Sequence, residues 1–234
     1  MYSNPTLIRF RSALRTVGIL RLIQTSPLYR YISQGYESRF DAAMMASLKP
    51  GMRVFDIGAN VGYYTQKFAE AVGPTGEVHA FEPVPASAAK VRELQAQYPW
   101  IQVHQCAVAD QPGEVVMSVD ADSTSPTNRI SIAESEASEG LAVPVKTIDQ
   151  VAAEFGVPAF IKIDVEGYEL HALQGAQAVL DSQSLKHLFI EIHFALLEAR
   201  GLPKAGDDIQ KILLRQGFTS HFTDFSHMHA EKSV

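Results

Sequence analysis

The chain has 234 residues, enough for one sizeable domain with a full core. Apolar residues make up 46% and charged residues 20%, an ordinary globular balance, and a net charge of −6 removes any general reason to expect nucleic-acid binding. The single cysteine, Cys106, excludes an internal disulfide and fits a reducing, cytoplasmic setting. No apolar run approaches the ~18 residues of a membrane span, and a secretory signal is not expected.

The charge is uneven. Met1 to Tyr36 carries five arginines (Arg9, Arg11, Arg15, Arg21, Arg30) and no acid. Leu7, Phe10, Leu14 and Val17 recur at helical spacing. Residues 1–40 are therefore expected to form a helical cap over a ligand cleft, with peripheral contact to a membrane surface as the alternative. Residues 41–234 are expected to form the main domain.

Pro50-Gly51 marks a turn, and Arg53 to Ile57 reads as the first strand. A helix is expected after Gly62, with Tyr64, Phe68 and Val72 inward and Gly73-Pro74 as its stop. The second strand, Val78 to Phe81, ends in Glu82. A helix with Ala88, Val91, Leu94 and Tyr98 on one face follows and stops at Pro99. Ile101 to Gln105 is the third strand. Gly113–Val119 and Leu141–Val145 then alternate with period two, a predicted β-hairpin insertion. Asp120–Gly140 between them is long for a connection in a compact domain, the length of a lid or binding loop. Thr147-Ile148-Asp149-Gln150 is a capping box opening a helix that ends near Gly156.

Phe160 to Asp164 is the fourth strand, followed by a helix with Leu170, Leu173, Ala176 and Leu180 inward. Leu188 to Ile192 is the fifth. Asp207-Asp208 caps a last helix that ends at Gly217, and Phe218 to Phe222 is the sixth strand. This alternation predicts an α/β fold with a doubly wound, mostly parallel sheet.

The first strand runs into Asp56 and the turn Gly58-Ala59-Asn60-Val61-Gly62; the second ends at Glu82. Strand, acid, glycine turn, helix, strand, acid suits an adenosine-containing ligand at a sheet edge. A pyrophosphate wants G-x-G-x-x-G and no anion beside it. The turn here is G-x-N-x-G, and a carboxylate at Asp56 repels phosphate but binds an ammonium. S-adenosylmethionine carries an ammonium and a sulfonium and no phosphate. Glu82 offers two oxygens to a ribose diol. A nicotinamide-dependent oxidoreductase is the weaker rival on this sheet; a non-catalytic cofactor-binding module is the other.

Phe55-Asp56-Ile57-Gly58-Ala59-Asn60-Val61-Gly62-Tyr63, Ala80-Phe81-Glu82-Pro83 and Ile161-Lys162-Ile163-Asp164-Val165-Glu166-Gly167-Tyr168-Glu169 resemble the signature blocks of FkbM-type methyltransferases. The resemblance covers about residues 37–217. It implies a class I, Rossmann-like methyltransferase fold and methyl transfer from S-adenosylmethionine, mostly to hydroxyl oxygens of sugars, polyketides and related natural products. It implies cofactor contacts at Asp56, Gly58, Asn60, Gly62, Tyr63, Glu82 and Pro83. Position in the fold adds Ala107 and Asp110 for adenine. The antiparallel seventh strand usual in this fold has to be short, from about Phe225 to Val234, or absent.

Asp164 ends the central strand with Lys162 two residues earlier on the same face, and Glu166 and Glu169 follow. Charges this dense at a strand end are expensive to bury without a task. Glu191 and His193 repeat the spacing at the fifth strand, and a histidine there can move a proton near neutral pH. Asp164, His193, Glu191, Lys162 and Glu166 are the candidate catalytic residues. Asp164, Glu191 and His193 together suit a divalent ion such as magnesium, though no metal-binding motif demands one. His227-Met228-His229 is expected to be a loose tail. The expected partner is a small-molecule or glycan acceptor; its identity and the oligomeric state are not legible.

Overall fold

The structure, a computed structural model, describes residues 39–117 and 140–232. The expected cap up to residue 38 and residues 120–139 of the long connection lie outside the described residues. The chain enters through a helix, α1, over residues 39–47. The expected boundary at 40/41 falls inside that helix. Phe40 and Met44 are buried and pack into the core, so α1 belongs to the main domain.

Then come β1 (Arg53–Ile57), α2 (Tyr63–Val72), β2 (Glu77–Phe81), α3 (Pro85–Leu94) and β3 (Ile101–His104). An insertion follows: β4 (Ala107–Val108), β5 (Gly113–Met117) and β6 (Leu141–Lys146). The second half holds α4 (Ile148–Phe155), β7 (Phe160–Ile163), α5 (Glu169–Gln174), α6 (Gln177–Asp181), β8 (His187–Glu191), α7 (Phe194–Ala199), α8 (Ala205–Arg215), β9 (Phe218–Phe222) and β10 (His227–Lys232).

Seven strands form one sheet in the order β3-β2-β1-β7-β8-β10-β9. All are parallel except β10, which runs antiparallel to β8 and β9. The seventh strand is therefore present and six residues long. The loose tail expected around His227-Met228-His229 is instead buried strand; Met228 and Ala230 are fully covered and pair with Ile190 and Leu188 of β8. Both faces of the sheet are covered. Phe40, Phe68, Val91 and Tyr98 pack on one face; Val151, Leu173, Leu180, Ile209 and Leu213 pack on the other. Burial on both faces explains the near-continuous apolar runs of β7 and β8.

The predicted hairpin exists, with β5 antiparallel to β6 and Val115 opposite Val143. It rests on β4 through Ala107, Val145 and Met117, with Val84 beneath. The capping box at Thr147 forms as expected. Two helix expectations change. The helix after β7 is two helices, broken at Gly175-Ala176 where a Cβ on Gly175 would lie 2.3 Å from the Ala109 carbonyl. Asp207 and Asp208 do not cap α8; Lys204 holds that position and the two acids sit in the first turn, where the helix dipole favours them.

The strand order reverses between β1 and β7. Ligands in open α/β sheets lie beyond the carboxyl ends of the strands at such a point. Asp56, Glu82, Asp164 and Glu191 sit at those ends.

Candidate active site

A cleft of about 290 Å³ opens there, lined by Ile57, Gly58, Asn60, Phe81–Val84, Cys106–Val108, Met117, Asp164–Glu166, Glu191 and His193, with Ser87 at its side. Four carboxyl groups and one imidazole face it. No Lys or Arg side chain lines it among the described residues. A pyrophosphate would meet only acids; a cation would be welcome.

The turn after β1 is built by close contact. Gly58 has φ +82°, and a Cβ there would lie 1.8 Å from the Asp164 carbonyl oxygen. Only glycine fits. Asn60 adopts φ +49°, and its N–H donates to Glu82 Oε2 at 2.8 Å. Val84 N–H donates to Glu82 Oε1 at 2.8 Å. Glu82 is thus fixed by the two turns that flank it. Burial pushes its pKa up to about 7, against the lowering effect of the two backbone N–H groups.

Several expected cofactor residues do not face the cleft. Asp56 is fully buried; its Oδ2 accepts from the Thr65 hydroxyl at 2.6 Å and its Oδ1 lies 3.4 Å from Lys162 Nζ. It orders the turn from below. Gly62 has φ +90° and faces α3, where a Cβ would lie 2.8 Å from Leu94. Tyr63 is 59% exposed and holds Lys67. Asp110 sits beside Gly175, outside the residues that line the cleft. Ala107 and Pro83 do line the cleft.

Lys162 is also beneath the surface, 4% exposed. Its Nζ donates to the Gly58 carbonyl at 3.1 Å and lies 3.3 Å from Asp164 Oδ2. Burial opposes its charge, but Asp164 and Asp56 outweigh that and raise its pKa. It is a clamp joining β7 to the glycine turn.

His193 caps α7 immediately after β8. Its Nδ1 donates to Glu169 Oε1 at 2.8 Å. Its Nε2 lies 3.5 Å from Glu166 Oε2, 3.8 Å from Asp164 Oδ1 and 3.9 Å from Glu191 Oε1. The expected convergence of the two strand ends is therefore present. Burial lowers the His193 pKa, but the bond to Glu169 and the charges of Glu169, Glu166 and Asp164 outweigh it and push it up to about 9. Glu166 holds φ +48°, uncommon for a residue with a side chain, and burial raises its pKa. Glu191 is lowered: burial works against its charge, and His227 and His193 prevail.

Three neighbours of the cleft, Glu169, Asp224 and His227, are not among the candidate catalytic residues. Glu169 was one acid among several; only the fold shows it beneath His193. Asp224 and His227 gave one signal, an acid two and three residues before Ser226 and His227, whose N–H groups its side chain accepts.

Residues 56–220 match the family model described as Methyltransferase FkbM domain. The chain belongs to the FkbM methyltransferase family. It is 30% identical over 176 residues to 31-O-demethyl-FK506 methyltransferase FkbM of Streptomyces tacrolimicus, covering 62% of this chain and 67% of that one. A shorter match, 42% over 64 residues, joins it to Protein-L-isoaspartate O-methyltransferase 1 of Arabidopsis thaliana, 26% of this chain and 28% of that one. Among solved structures, Methyltransferase FkbM from Methylobacillus flagellatus superposes with a TM-score of 0.53 at 19% identity, covering 77% of this chain and 43% of that chain. A Streptococcus mutans protein solved in complex with SAH superposes at 0.50 with 12% identity, covering 86% and 97%. These two likenesses show the class I methyltransferase fold.

As an FkbM-family member the chain is a methyltransferase that uses S-adenosylmethionine. The cleft fits that cofactor. Its acids match a net positive ligand, the Gly58 cradle admits close backbone approach, and Ile57, Phe81, Val84 and Val108 supply apolar surface for a flat base. Asp164, Glu191 and His193 bring ligand atoms within 4.8 Å of one another, a set able to hold a divalent ion. Among the described residues no helix is long and apolar enough to cross a membrane.

Proposed function

We propose that this FkbM-family methyltransferase methylates a hydroxyl oxygen on a sugar, glycolipid or other natural product. One observation carries the reading: the imidazole of His193 faces Asp164, Glu166 and Glu191 in the cleft that also holds Glu82. A hydroxyl acceptor needs a proton taken from it and its oxygen held in line with the methyl group. Such an array suits both tasks. Bound S-adenosylmethionine supplies an electrophilic methyl.

Glu82 accepts from the ribose hydroxyls, and Ala107 and Val108 flank the adenine. Asp164 and Glu191 orient the acceptor hydroxyl. At neutral pH His193 carries its proton in the ligand-free protein, and the base for the hydroxyl proton in the loaded cleft is His193 or Asp164. His193 becomes a base when positive charge enters the cleft and offsets the acids that hold its proton. The name of the Streptomyces relative, a 31-O-demethyl-FK506 methyltransferase, supports transfer to oxygen.

The test is transfer of labelled methyl from S-adenosylmethionine to fractionated small-molecule and glycolipid extracts of the source cells. Label on an oxygen of a neutral polyol is the expected product. Label found only on nitrogen, carbon or nucleic acid would overturn the reading.

A further inference from the structure

His227 plays no part in the cofactor end of the cleft and lies outside its lining. The structure nevertheless builds a site around it. The residue is 9% exposed at the start of β10, and its Cα is registered opposite Glu191 of β8. Its Nδ1 donates to Asp224 Oδ2 at 2.7 Å. Asp224 is itself buried, and its Oδ1 accepts the N–H groups of Ser226 at 2.8 Å and His227 at 2.9 Å. The acid is therefore locked by the turn it closes. The Phe40 ring of α1 lies 4.3 Å from the imidazole.

With Nδ1 committed, Nε2 is the nitrogen left to act, and it lies 3.4 Å from Glu191 Oε2. The other oxygen of Glu191 faces His193 Nε2 at 3.9 Å. One carboxylate thus stands between two imidazoles, and each imidazole is backed by its own buried acid, Asp224 or Glu169. Without the outer imidazole, Glu191 would share His193 with Asp164 and Glu166, and mutual repulsion would turn it out of the cleft.

We infer that His227, held by Asp224, is a positioning residue that fixes Glu191 beside His193 in the methyl-transfer cleft. The inference rests on the proposed hydroxyl methylation only for what Glu191 then does; the brace itself is a matter of geometry. The brace also touches α1 through Phe40.

Two variants separate the alternatives. His227→Phe keeps a ring against Phe40 and removes the donor. His227→Gln keeps a donor able to reach Glu191. Crystal structures of the full chain with S-adenosylhomocysteine read the brace directly. In His227→Phe the Glu191 carboxylate leaves its place beside His193 while Asp164 stays; in His227→Gln it stays. Turnover is read with labelled S-adenosylmethionine and a panel of neutral methyl glycosides as acceptor probes. His227→Phe loses up to about 100-fold in kcat with cofactor affinity retained, and His227→Gln recovers most of it. In a Glu191→Gln background the Phe change adds no further loss, as expected for residues acting through one contact. If His227→Phe fails to fold, Asp224→Asn replaces it, since it frees the imidazole to rotate. Glu191 unmoved in the donorless variant, or losses that simply multiply, would overturn the inference. If the parent methylates no glycoside, the hydroxyl reading is what suffers, and the position of Glu191 still decides the brace.

Discussion

Glu169 lies beneath His193 and decides which ring nitrogen faces the cleft. Its Oε1 accepts from His193 Nδ1 and from the Gly167 N–H, both at 2.8 Å, and the residue is fully buried. A carboxylate so placed holds the ring orientation and the proton together. A charge-assisted bond of this kind contributes roughly 1.5–3 kcal/mol. Glu169→Gln is expected to lower stability by about that amount and to bring the His193 pKa down toward its ordinary value. Urea unfolding and histidine NMR titration check both. An unchanged His193 titration in the variant would remove Glu169 from this role.

The two raised histidines give stability a pH signature. His193 is pushed up to about 9: burial opposes its charge, and the bond to Glu169 and the nearby acids outweigh it. His227 is pushed up to about 10: burial again opposes, and the bonds to Asp224 and Glu191 prevail. Unfolded, each titrates near 6.5. Their contribution is therefore fully present below about pH 6.5, falls above it, and is lost once pH passes about 9 for His193 and about 10 for His227. Urea unfolding of the parent at pH 6, 8 and 10 is expected to show a steady loss in this window. His193→Gln is expected to make the loss between about 6.5 and 9 shallower, leaving the share that His227 contributes there. A parent stability that rises over this range would contradict the assignment.

Glu82 has the same sign in a lower pH window. Burial raises its pKa to about 7 from 4.5, so ionising it in the folded protein works against stability from about 4.5 upward through 7. The ionised form is the one that accepts from both hydroxyls of a vicinal diol. Each Glu82 oxygen already accepts one backbone N–H and keeps a second lone pair for a ribose hydroxyl. Affinity for S-adenosylhomocysteine is expected to tighten as pH rises through about 7. Glu82→Gln should weaken binding and remove this dependence. Calorimetric titration across pH 6 to 8 reads it, and an equal slope in both proteins would refute the ribose assignment.

Gly58 admits no side chain. A Cβ would meet the Asp164 carbonyl oxygen, which is backbone, and φ is +82°. Neither strand can retreat, because β1 and β7 are paired through Ile57 and Ile163 and clamped by Lys162. Gly58→Ala is expected to cost more than about 3 kcal/mol and to abolish cofactor binding. Gly73→Ala, at another positive φ but in open space, is the control and should leave binding intact. Chemical denaturation with S-adenosylhomocysteine titration distinguishes the two.

Much of the fold was legible because its signals are local. The apolar runs, the Gly-Pro and Pro-Gly stops and the capping box at Thr147 each depend on residues a few positions apart. The three blocks around Asp56, Glu82 and Asp164 identified the family for the same reason: a strand, its terminal acid and its turn are contiguous in sequence. The strand ends then followed from the sheet order, which brought Asp164, Glu191 and His193 into one cleft as expected. The direction in which each acid points was not local. Asp56 and Asp164 both end central strands, yet Asp56 is sealed under the turn by Thr65 and Lys162 while Asp164 faces the cleft. That difference comes from a clamp 104 residues long in sequence, Lys162 to the Gly58 carbonyl. The short seventh strand was equally undecided, since His227-Met228-His229 has no strand signal strong enough alone. Pairing with β8 and β9 on both sides buries it and supplies the hydrogen bonds an isolated segment would lack. Sequence composition thus determined which elements form and which cofactor they suit. Only tertiary packing decided which charged groups are turned toward that cofactor, because desolvation and partner charges across the sheet set both their orientation and their proton affinity.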